Sequence, residues 1–128
     1  MTGLLDTTVL VDLTRGSVEA AQFLDREFTS GKLPLTSIVS AMELLVGCRD
    51  QPEVDRMQKT LSRFAVIQLT PAISQQAYIL IAQYGSSHGL VIPDALIAAT
   101  ALVEDLPLLT HNDRHFIMIA GLQMHRPY

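Results

Sequence analysis

Four short apolar runs, Gly3–Leu5, Leu33–Thr36, Ala65–Leu69 and Leu106–Thr110, recur along the chain, and the stretches between them carry apolar residues at helical spacing. This alternation limits the fold more than any other feature of the sequence. Strands separated by helices read as βαβ units, whose crossover helices cover the faces of a parallel sheet. The expected class is α/β, a three-layer α/β/α sandwich with a central, mainly parallel sheet, built as one domain over residues 1–128. Sites in such sheets form beyond the carboxyl ends of the strands, near the point where strand order reverses. Polar residues that follow the apolar runs are therefore the candidates for chemistry.

The helices are bounded by recognisable signals. Asp6-Thr7-Thr8 supplies capping chemistry ahead of Val9–Leu13, and Ala20, Ala21, Phe23, Leu24 and Phe28 form one face of a second helix that stops at Ser30-Gly31-Lys32. Thr36 or Ser37 caps a helix running from Ile38 to Gly47, and Pro52–Phe64 reads as an amphipathic helix with Arg56, Lys59 and Arg63 on its basic flank. Thr70-Pro71 opens a helix expected to end at Gly85, with Ser86–Leu90 as a loop. Ile92-Pro93-Asp94 then starts an alanine-rich helix. Phe116–Ala120 fits a short helix or a strand, and Leu122–His125 an edge strand.

Composition removes several function classes. With 48% hydrophobic and 17% charged residues the chain is expected to be globular rather than disordered. The apolar stretch Ala95–Val103 is far shorter than the roughly 20 residues of a membrane span. No basic segment precedes an apolar stretch at the start, so no secretory signal is expected. The single Cys48 and the absence of Cys/His ligand spacing argue for a reduced, zinc-free, cytoplasmic protein without a membrane partner. Nine basic against thirteen acidic residues, a net charge of −4, exclude a general phosphate-neutralising coat. They do not exclude a nuclease whose acids hold a cation.

Such acids are present. Asp6 follows the first run and Asn112-Asp113 the fourth, while Glu43 and Asp94 lie on helices that border the same edge of the expected sheet. Ala98 and Ala101 share a helix face with Asp94 and leave room for close approach. Buried like charges raise one another's pKa unless a cation offsets them. A hard divalent ion such as Mg2+ resolves the conflict, activates water and stabilises charge on phosphate. Taken singly, each acid has an ordinary role: Asp6 as a helix cap, Asp94 as a partner of the helix dipole, Glu43 as a side chain reaching solvent, Asp113 as a turn residue.

Taken together, the blocks Leu4–Leu13, Ser37–Gly47, Ile92–Ala101 and Leu108–Phe116 resemble the PIN-domain ribonucleases, above all the VapC-type toxins of toxin–antitoxin pairs. All four occur in the family's order, and the resemblance covers essentially the whole chain. It implies a Mg2+- or Mn2+-dependent endoribonuclease acting on tRNA, rRNA or mRNA, silenced by a cognate antitoxin and paired as a homodimer. Asp6 and Asp94 match the family's principal metal-binding aspartates, and Glu43 matches the acid of its second block. Many relatives carry an aspartate directly before the phenylalanine of the last block, where this chain has His115, so either Asp113 supplies the fourth acid from a shifted place or the site works with three. Thr7, Thr110 and Asn112 are candidate supporting groups, and Arg15, Arg114 and His115 candidate RNA contacts. Leu44, Leu45, Met57 and Tyr78 are apolar helix positions, most of them explained by core packing, whose exposed members would serve a dimer.

Other phosphate chemistries do not fit. A haloacid-dehalogenase-type phosphotransferase carries a second aspartate where Thr8 stands, a receiver domain needs a late lysine, and no Walker-type loop is present. The alternative to a nuclease is a PIN-like protein- or RNA-binding module whose altered acidic site no longer cleaves.

Overall fold

Leu4 and Leu5 are adjacent in sequence yet belong to different apolar cores, and Leu108 and Leu109 divide in the same way. Successive strand side chains point to opposite faces, so a strand apolar at consecutive positions is covered on both sides. The computed structural model, which describes residues 3–128, shows why. Strands β1 (Leu4–Leu5), β2 (Leu35–Ser37), β3 (Ala65–Ile67), β4 (Leu108–Leu109) and β5 (Met124–His125) form one sheet in the order β3-β2-β1-β4-β5. All neighbouring pairs are parallel, with Leu5 level with Thr36 on one side and Leu109 on the other.

Among the described residues, six α-helices complete the sandwich: α1 (Thr7–Thr14), α2 (Val18–Thr29), α3 (Ile38–Val46), α4 (Gln51–Leu61), α5 (Pro71–His88) and α6 (Ile92–Val103). Val9 and Leu10 of α1, Phe23 and Leu24 of α2 and Leu61 of α4 pack with Leu5 and Leu109. Ile73, Ala77 and Leu80 of α5 and the alanine-rich face of α6 pack with Leu4 and Leu108. Helix α3 contributes Val39 to one core and Ala41 and Leu44 to the other. Each fully buried leucine contributes about 1.5–3 kcal/mol by removal from water. Among the described residues no helix is long and apolar enough to cross a membrane.

Two expectations needed correction. Helix α5 continues through Gly85 to His88, so Ser86–His88 is helical rather than loop; the left-handed turn that ends it falls at Gly89, φ 69°. A single glycine inside a helix costs about 1 kcal/mol relative to alanine, which packing of Ile73, Ala77 and Leu80 outweighs. Phe116–Ala120 is neither helix nor strand but a run of turns that buries Phe116 and Ile119. Leu44 lies in the core and Met57 packs against it, as the core packing expected for most of the apolar helix positions requires, while Met42, Val46, Tyr78 and Ile79 are the large exposed apolar residues of α3 and α5.

Candidate active site

The chain leaves β1, forms β2 and β3 on one side of it through α1–α4, then crosses to the other side through α5 and α6 to form β4. The order therefore reverses between β1 and β4, and the crevice beyond their carboxyl ends is where an α/β sheet accepts ligands. Asp6 and Thr110 are the residues that follow these two strands, and the Asp6 amide donates to the Leu109 carbonyl at 2.9 Å.

Asp6 occupies the N-cap position of α1, but its carboxylate caps nothing. Its Oδ2 instead accepts from the Thr110 hydroxyl at 2.7 Å and the Thr8 hydroxyl at 3.1 Å. Asp6 and Thr110 are almost wholly buried. Both bonds fall on one oxygen, so the second is left out of the side-chain network. Glu43, exposed on α3, is held differently: the Thr7 hydroxyl donates to its Oε1 at 2.8 Å and shares a 2.9 Å hydrogen bond with the Ser40 hydroxyl. Asp94, in the first turn of α6, lies with its Oδ2 3.0 Å from His115 Nδ1. That same nitrogen is 3.0 Å from the Asn112 side-chain amide, whose backbone N–H donates to Thr110 Oγ1 at 2.9 Å.

Burial raises the Asp94 carboxyl above the usual carboxylate range; the His115 imidazole opposes this, and the carboxylates of Asp6 and Glu43 add to the rise. Asp6, Glu43 and Asp94 thus share one electrostatic neighbourhood. Asp113 opens the 3-10 turn Asp113–His115 and is not among the charges acting on Asp94. The structure brings His115, rather than Asp113, onto the Asp94 carboxylate.

The acids do not line a single cavity. Glu43 borders a groove of about 650 Å³ between α1, α3 and α4, together with Arg15, Arg56 and Arg63. Asp94 borders a smaller cleft of about 210 Å³ with Arg114 and His115. Among the described residues, no lysine or arginine pairs with Asp6, Glu43 or Asp94. Nor do three His, Cys, Asp or Glu side chains stand close enough to hold an ion by themselves. The donor chemistry nevertheless fits a hard divalent cation, which takes one or two carboxylates and completes its shell with water and substrate phosphate.

Two further groups, not evident as site residues from sequence, support the acids. Thr8, in sequence part of the helix-capping Asp6-Thr7-Thr8 and standing where another enzyme class has an aspartate, hydrogen-bonds Asp6. Ser40, fully buried, supports Thr7. Its place one helical turn before Glu43 was the available signal.

Comparison with known proteins agrees with this architecture. Residues 3–122 match the family described as PIN domain. Ribonuclease VapC19 of Mycobacterium tuberculosis is 39% identical over 121 residues, covering 94% of this chain and 96% of that protein. Ribonuclease VapC10 of the same organism is 38% identical over 123 residues, covering 94% and 90%. A toxin-antitoxin complex from Klebsiella pneumoniae contains a chain that superposes with a TM-score of 0.78 at 32% identity, covering 99% of this chain and 98% of that one.

Proposed function

This chain belongs to the PIN-domain family, and we propose that it is a divalent-metal-dependent endoribonuclease, the toxin of a cytoplasmic toxin–antitoxin pair, which hydrolyses phosphodiester bonds in tRNA, rRNA or mRNA. The observation that carries the reading is the buried, cation-free aspartate at the switch in strand order, electrostatically coupled to Asp94 and through it to Glu43. Relatives named ribonucleases and a solved toxin–antitoxin neighbour support it.

In this reading Asp6 and Asp94 hold Mg2+ or Mn2+. When bound, the ion offsets charge developing on the phosphate and lowers the pKa of water. The chain's own groups do the positioning. Thr110 and Thr8 both donate to Oδ2 of Asp6, so Asp6 would hold the ion with a carboxylate already fixed in orientation. Thr7 occupies Oε1 of Glu43, so Oε2 is the atom that orients the attacking water or takes its proton. Asn112 and Asp113 stand at the end of β4 as further candidates for the shell, directly or through water. Arg15, which lines the same groove as Glu43, and Arg114, which lines the same cleft as Asp94, are the candidates to contact RNA phosphates. The antitoxin is the expected protein partner, and a second copy of the chain is expected to pair through exposed apolar residues such as Tyr78 and Val46.

The test is cleavage of labelled tRNA, rRNA and mRNA by the antitoxin-free protein with Mn2+ or Mg2+. Cleavage should vanish with chelator and in folded Asp6→Asn and Asp94→Asn variants. Cleavage that survives in both variants refutes the site assignment. No cleavage of any of the three RNA classes would put the non-cleaving binding module in first place, and an unfolded Asp94→Asn would count against removable like-charge crowding.

A further inference from the structure

Tyr128 lies beyond β5 and outside the candidate active site, yet it touches both segments that send a hydroxyl to Asp6. Its own hydroxyl donates to Asp12 Oδ2 on α1 at 2.6 Å, and its ring lies against His111, centroids 4.3 Å apart, in the segment that follows β4. We propose that Tyr128, together with Arg126, is a positioning residue for this site: it fastens α1 to the segment after β4, so that Thr8 from one and Thr110 from the other meet on a single oxygen of Asp6. The inference rests on the metallonuclease reading above and adds a support to its acids from a third segment of the chain.

The sheet aligns the two segments only as far as the 2.9 Å bond from the Asp6 amide to the Leu109 carbonyl; beyond it one turns into α1 and the other into the 3-10 turn. The contact that joins them further out, His111 N–H to Thr8 Oγ1, is 3.5 Å long. That exceeds the usual range of about 2.7–3.2 Å, so it cannot set their spacing by itself. Tyr128 restrains both sides. On α1, Asp12 follows Thr8 by four residues, so the two share a helix face and a bond to one holds the other in place. After β4, His111 stands between Thr110, which donates to Asp6, and Asn112, whose side-chain amide is 3.0 Å from His115 Nδ1. His111 is held twice: Arg126 donates to its carbonyl at 3.1 Å, and the Tyr128 ring packs on its imidazole, whose Nε2 is buried. The restraint is also stiff. A hydroxyl on a carboxylate at this distance is a charge-assisted bond, and Phe23 of α2 lies near the same ring, centroids 6.2 Å apart.

The consequence for the site follows from orientation. Groups that hold a metal ligand in place tune its affinity although they never touch the ion. With Tyr128 removed, α1 and the segment after β4 are free to part. Asp6 then keeps its place after β1 but loses the two hydroxyls that fix its direction. The expected signature is a loss of metal affinity transmitted through Thr110, which packing of Tyr128 on the core would not by itself produce.

The experiment uses the full chain on its own, with inorganic phosphate present to stand in for the RNA backbone. Mn2+ is titrated calorimetrically into wild type, Tyr128→Ala, Tyr128→Phe, Thr110→Val and the Tyr128→Ala/Thr110→Val double variant, each shown to be folded by circular dichroism and cooperative urea unfolding. Tyr128→Ala should weaken Mn2+ binding about tenfold. Tyr128→Phe, which keeps the ring and loses only the bond to Asp12, should weaken it about threefold. In the Thr110→Val background Tyr128→Ala should change the affinity by less than about twofold, because the group it positions is gone. If Tyr128→Ala does not fold, the same cycle is run with Tyr128→Phe, whose loss should likewise disappear. A folded Tyr128→Ala that binds Mn2+ within about twofold of wild type, or equal losses in both backgrounds, overturns the positioning role and leaves the metallonuclease reading standing. A wild type that binds no Mn2+ overturns that reading and the positioning role with it.

Discussion

Replacing Thr110 by valine removes a single hydroxyl from the point where β1 and β4 meet, while keeping the shape and β-branching of the side chain. The lost bond is the 2.7 Å donation to Asp6 Oδ2, buried on both sides. A hydrogen bond to a charged acceptor contributes about 1.5–3 kcal/mol, and the Asn112 backbone N–H also loses its acceptor, at about 1 kcal/mol for a group that water can reach. The added methyl returns about 0.8 kcal/mol of apolar burial. The net expected loss is about 2–3 kcal/mol, which lowers the urea midpoint by about 1–2 M at unchanged slope. The specific attribution to Asp6 is read from a double-mutant cycle with Asp6→Asn. A neutral acceptor is worth about half a charged one, so Thr110→Val should cost about 1 kcal/mol less in that background. A total loss below about 0.5 kcal/mol, or equal losses in both backgrounds within about 0.3–0.5 kcal/mol, would refute the view that Thr110 acts by holding Asp6.

Two further outcomes follow from the charges. Asp94 has its carboxyl raised in the folded chain, chiefly by burial, so the folded state binds more protons than the unfolded one above the normal carboxylate range, and this residue lowers stability as pH rises through that window. Asp94→Asn, compared with wild type in chelator by urea denaturation, should therefore gain relative stability between pH 4 and pH 7, by an amount on the order of 0.5–2 kcal/mol typical of relieved functional sites; a relative loss over that range would contradict the assignment. Tyr128 donates its hydroxyl to Asp12 Oδ2 at 2.6 Å, and burial together with Asp12 raises its pKa. Its contribution should be full below the normal tyrosine pKa and be lost as pH rises above it, so Tyr128→Phe should cost about 1 kcal/mol near neutrality and flatten the alkaline fall in thermal midpoint.

Much of this molecule was legible in one dimension because local physics produced the signals. Apolar pairs such as Leu4-Leu5 and Leu108-Leu109 marked strands covered on both faces, and Thr70-Pro71 and Ile92-Pro93 marked helix starts to the residue. The end of α5 was less visible, since Gly85 and Gly89 are equal as letters and only packing and a positive φ at Gly89 distinguish them. Asp6, Glu43 and Asp94 could be picked out as candidates by where they follow a strand or lie on helices, whereas the same rule also pointed to Asp113, which is not among the charges acting on Asp94; the ordered blocks carried the family resemblance.

Sequence determined which groups this protein has available: an acid after β1, one on α3, one at the start of α6, and a histidine just before Phe116. Tertiary structure alone decided how they are used. The switch in strand order sets Asp6 against Thr110, 104 positions away, and turns the Asp6 carboxylate from a helix cap into a group held by two hydroxyls. The 3-10 turn after β4 brings His115 rather than Asp113 onto Asp94. Strand and helix signals are local and survive in the linear pattern, whereas the direction of a carboxylate is set by donors from distant segments, and those exist only once the sheet has closed around them.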